Sequence, residues 1–106
     1  MKKKFAFVLM GGHYTPEQHR AHFETEKQIT SIFTVNNYEQ ARQKLTELEQ
    51  EGFGAVELCG AFGEEKAKEL IALTHGKIAI GFVTHLPEQD ELFARFFAKG
   101  RYLISE

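Results

Sequence analysis

The sequence predicts a small α/β fold: a doubly wound, mostly parallel sheet of four to five strands with helices on both faces. Three observations predict it. Strand-like and helix-like segments alternate along the chain. The strand segments are nearly continuous in apolar residues, as strands buried on both faces are. No Asn-Gly or Asp-Gly turn joins two of them into a hairpin, which disfavours a half-open sheet of the βαββαβ type. The 106 residues make one domain, 1–106.

The elements follow in order. Phe5 to Met10 (FAFVLM) is an unbroken apolar run that stops at Gly11-Gly12, and it reads as the first strand. Lys2, Lys3 and Lys4 solvate its start. The run is too short for a signal peptide or for a membrane span of about 20 residues. Thr15-Pro16-Glu17-Gln18 is a helix-start signature, with Thr as cap and Pro in the first turn; it predicts a short helix ending at Phe23 or Glu24. Residues 28–35 (QITSIFTV) form a strand with more polar interruption, placed at a sheet edge.

Asn36-Asn37 caps a helix whose apolar stripe is Tyr38, Ala41, Leu45 and Leu48, and Gly52 ends it. Residues 54–59 (GAVELC) make a strand. A helix follows over 64–74, with Ala67, Leu70, Ile71 and Thr74 facing inward. Residues 77–84 (KIAIGFVT) are a further strand. Pro87 opens a helix with Leu92, Phe93, Phe96 and Phe97 on one side, stopped by Gly100, and 101–104 suit a short last strand. Right-handed crossovers then place segment 28–35 at one edge, followed by 5–10, 54–59 and 77–84.

Composition excludes several functions. Hydrophobic residues at 42% and charged residues at 26% describe a globular chain rather than a disordered one. Thirteen Lys and Arg against fifteen Asp and Glu leave no basic excess for a nucleic-acid backbone. No membrane partner is expected. One cysteine allows no internal disulfide, which agrees with a reducing, cytoplasmic setting.

Open α/β sheets bind ligands beyond the carboxyl ends of their strands, where the strand order reverses. Here that point gathers Gly11, Gly12 and His13 after the first strand, Cys59 and Gly60 after the third, and Thr84 and His85 after the fourth. Gly11, Gly12, His13, Gly60 and Thr84 are expected to bind a small molecule. Cys59 is a candidate nucleophile and His85 its partner. Glu57 shares a strand face with Cys59. As a carboxylate inside an apolar strand it is expected to be buried and hydrogen-bonded, and it is a candidate acid or base. The histidine spacing matches no established zinc pattern, so no metal is expected, and no cofactor is specified. His19 and His22 read as surface residues. The competing function is a non-catalytic interaction module. Ten Phe, three of them crowded at positions 93, 96 and 97, point to a homodimer that uses residues 92–104.

The segments AVELCGAFG (55–63) and GFVTHLPEQDELFARFF (81–97) carry a resemblance. Through them, and from the KKFAFVLM start to the Phe-rich helix, the chain resembles a family of small prokaryotic proteins catalogued as a domain of unknown function. That resemblance implies a stand-alone α/β protein of bacterial type and transfers no activity.

Overall fold

A computed structural model describes residues 2–98. Five strands form one sheet: β1 (Lys3–Met10), β2 (Ala21–Glu24), β3 (Gln28–Val35), β4 (Ala55–Leu58) and β5 (Ala79–Phe82). The helices are α1 (Tyr38–Gln50), α2 (Gly63–Leu73) and α3 (Asp90–Phe97), the last entered through a 3-10 turn at Pro87–Gln89. The strand order is β2-β3-β1-β4-β5. β1 pairs in parallel with β3 along its whole length, from Lys3 opposite Gln28 to Met10 opposite Val35. It also pairs in parallel with β4, which pairs in parallel with β5. The expected order of the four parallel strands is the observed one. The Gly100 stop and the strand expected at 101–104 lie outside the described residues.

The helix expected from Thr15 to Phe23 is instead a single turn followed by β2. Pro16 does start a turn: the N–H groups of Gln18 and His19 both donate to Thr15 O. It stops there because the next apolar residues, Ala21 and Phe23, alternate as in a strand and supply no helical stripe. β2 then runs antiparallel to β3, with Phe23 opposite Thr30. The hairpin needs no Asn-Gly. Thr25 Oγ1 accepts from the N–H groups of Lys27 and Gln28, at 3.2 and 3.1 Å, and closes the turn. With β2 outside it, β3 is an interior strand and not an edge.

This change decides which faces are covered. The β3–α1–β4 and β4–α2–β5 crossovers travel in the same direction across the sheet. Right-handedness therefore puts α1 and α2 on the same side. The core lies between them and the sheet: Ala6, Val8, Val56 and Leu58 against Ala41, Leu45, Leu48, Ala67 and Leu70. Ile71, expected inward, is exposed on the flank of α2. Only the β1–β3 connection travels the other way, and its helix is the one that did not form. The second face carries Phe5, Phe7, Leu9, Ile32 and Glu57, none of them buried. Among the described residues no helix packs along its length, and α3 reaches it only at the carboxyl end of β1, where Phe93 and Phe97 face Leu9. Among the described residues no helix is long and apolar enough to cross a membrane.

Candidate functional site

The carboxyl ends of β1, β4 and β5 open into a cavity of about 430 Å³. Its polar lining is His13, Tyr14, Cys59, Thr84 and His85, with the backbone of Gly60. Its apolar walls are Leu9, Met10, Ala61, Val83, Phe93 and Phe97. Backbone pairing fixes this end of the sheet. Cys59 N–H donates to Val8 O, Val83 N–H to Leu58 O and Gly11 N–H to Val35 O.

Each wall has a local cause. Asn36, just before α1, donates from Nδ2 to the carbonyls of Gly11 and Tyr14 and so holds the 11–14 loop in place. Its own N–H donates to Gln40 Oε1 at 2.7 Å. His13 and Tyr14 rest ring on ring, with centroids 4.2 Å apart. A methyl group built on Gly11 would stand 2.9 Å from His13 Cε1, so glycine is what lets the imidazole fold back. Cys59 Sγ accepts a hydrogen bond from Met10 N–H at 3.3 Å, which turns the sulfur toward β1. On the opposite wall His85 stacks on Phe93, centroids 4.1 Å apart and planes within 10°. His85 Nε2 meets Asp90 Oδ1 at 2.7 Å. Asp90 opens α3, so the first turn of that helix orients the imidazole.

Of the residues expected at the site, His13, Cys59, Gly60, Thr84 and His85 line this one cavity. Gly11 supports the loop from behind, and Gly12 faces open space. Glu57 is not in the lining. It stands two residues back from Cys59 on the bare sheet face, half-buried rather than buried. No hydrogen bond or ion pair holds its carboxylate among the described residues. It lies over β5 at Gly81, where an added methyl would come within 2.5 Å of Oε1. His19 and His22 are exposed, as expected. Among the described residues, no three His, Cys, Asp or Glu side chains converge as metal ligands.

Sequence reasoning missed Asp90, Tyr14 and the aromatic wall. Asp90 resembles an ordinary acid at a helix start, which complements the helix dipole. The usable signal was its place on the first turn of a helix, five residues after a histidine in a strand-end loop.

A family described as a family of unknown function, DUF6506, matches residues 3–98. The chain belongs to the DUF6506 family. Among curated proteins and solved structures nothing matches it. The two segments that carry the DUF6506 resemblance, 55–63 and 81–97, also supply Cys59, Gly60, Ala61, Val83, Thr84, His85, Phe93 and Phe97 to the cavity.

Proposed function

We propose that this protein binds a small, flat, largely apolar molecule at the carboxyl end of its sheet. The carrying observation is the cavity itself: mostly apolar walls with a few polar groups converging at one end. The stacked pair His85–Phe93 makes a planar wall, and planar ligands stack on such surfaces. His85, oriented by Asp90, is the hydrogen-bonding and proton-transfer group in this reading, with Cys59, Thr84 and His13 within the same cavity. Glu57 has no part in it.

The test is a titration of the amide spectrum with phenylacetate, indole and benzamidine, which share a ring and differ in charge. A ligand of ten heavy atoms at about −0.4 kcal/mol per atom binds near 1 mM. At that level, shifts are expected at Gly60, Ala61, Thr84 and His85 and not at Leu45 or Leu48. No shift at the cavity with any of the three overturns the reading.

Self-association is the second reading. It is supported by the outer arc of α3, where Leu92 and Phe96 are 54% and 66% exposed.

A further inference from the structure

We propose that two copies of this chain pack through the bare face of the sheet about a two-fold axis, Lys3 of each copy pairing with Glu57 of the other. This rests on the self-association reading and shares Leu9 with the cavity of the ligand reading.

The face is apolar where it is widest. Phe5, Phe7 and Leu9 of β1 stand beside Ile32 of β3, and Phe23 of β2 is 59% exposed. A side chain set on a sheet needs a cover, and α1 and α2 are both on the opposite side. Five strands about 4.8 Å apart, crossed with the roughly 26 Å length of β1, give a plan area of roughly 500 Å². Side-chain relief brings that closer to the 800 Å² or so that each partner buries in a stable complex.

Charge says what kind of partner fits. Alternation along the strands puts one cation, Lys3, and one anion, Glu57, on this face. Neither is in an ion pair within the described residues, although Lys2, Lys44, Lys68 and Lys77 all are. A patch bearing one of each sign complements itself. A two-fold then makes the contact twice and leaves the interface neutral. An axis lying in the contact plane and crossing the strands brings the start of β1 in one copy over the middle of β4 in the other, in the aligned packing that twisted sheets adopt. It also accounts for Glu57. A carboxylate that a cover would bury needs a cation, and the described residues offer it none. Gly81 leaves it room to lie flat.

The experiment is sedimentation equilibrium of the full chain, from micromolar concentration upward, with Lys3→Glu, Glu57→Lys and the double exchange. The native chain is expected at twice its own mass. Each single exchange sets like charges together twice per dimer and should weaken association at least about tenfold. The double exchange should restore it to within about threefold. On the native protein, zero-length carbodiimide coupling of mixed isotope-labelled and unlabelled copies should give a Lys3–Glu57 link joining one label to the other. A monomer at every concentration overturns this proposal together with self-association. A dimer indifferent to the single exchanges, or one without the inter-copy link, overturns the sheet-face pairing alone and leaves association through α3 standing.

Discussion

Replacing Phe93 by Ala should release α3 from the cavity while leaving the core intact. Phe93 is 42% exposed, so rather more than half of its roughly 200 Å² is covered, mostly by His85 and Phe97. At about 25 cal/mol per Å² that cover is worth about 3 kcal/mol, and an alanine keeps about a quarter of it. Roughly 2 kcal/mol of local stability is therefore lost. α3 has little else to hold it. It contributes no buried residue, and a helix of eight residues is not stable alone. The core lies elsewhere, around Leu45, Leu48 and Leu70. Hydrogen exchange followed by mass spectrometry separates the two. Amides of 90–97 should exchange about thirtyfold faster in Phe93→Ala, and those of 41–48 should not change. The thermal midpoint should hardly move, whereas Leu45→Ala, at about 2–5 kcal/mol, should lower it sharply. If Phe93→Ala melts like Leu45→Ala, or if 90–97 exchanges at the native rate, α3 is part of the core and the argument fails.

Two further outcomes follow from local geometry. Gly52 ends α1 at φ +86°, with its N–H on Glu49 O and the next N–H, of Phe53, on Leu48 O. No atom crowds the position within 4 Å, so Gly52→Ala carries only the left-handed penalty, about 1 kcal/mol, or roughly 4–8 °C in a thermal melt; an unchanged melt rejects this account. Burial, and then the hydrogen bond from its hydroxyl to Glu69 Oε1 at 2.7 Å, hold the Tyr38 phenol above its ordinary value. The neutral phenol is thus favoured by folding. Its contribution is complete below about pH 10 and is lost as pH rises through the raised value. Glu69→Gln should move the phenolate absorbance step toward lower pH without bringing it back to the ordinary value, because burial remains; a step that does not move removes Glu69 from the explanation.

The parallel part of the sheet was legible because it rests on unambiguous periods. The 3, 4, 3 spacing of Tyr38, Ala41, Leu45 and Leu48 is helical, and the run 5–10 is too short for a buried helix and is bounded by Gly11-Gly12, which makes it a strand. The position of the cavity followed, since strand order fixes which loops meet. The segment 15–28 misled because two local signals competed. Thr15-Pro16 starts a helix that nothing after it sustains, and the hairpin turn is built by a Thr25 hydroxyl, which leaves little trace in sequence. The bare face was hidden for a different reason. An apolar strand shows that both its faces want cover, and does not show what supplies it. The same holds for Glu57: an apolar strand on either side of it does not say that its own face stays open, and there it is half-buried rather than buried. Asp90 left only the faint signal of its spacing from His85, and Phe93 left none, because its role depends on how α3 lies across the end of the sheet.

The position of β1 at the centre of the sheet has a consequence for the newborn chain. Phe5 pairs with Thr30 on one side and with Ala55 on the other. β1 is therefore synthesised before both of its partners, and the second of them, β4, follows only after β3 and α1. Until then FAFVLM is an unpaired, uncharged, β-prone stretch of the kind that aggregates. Lys2, Lys3 and Lys4 sit directly before it, where repulsion between copies opposes edge-to-edge stacking during that interval. The lysines thus serve the chain before there is a fold for them to decorate.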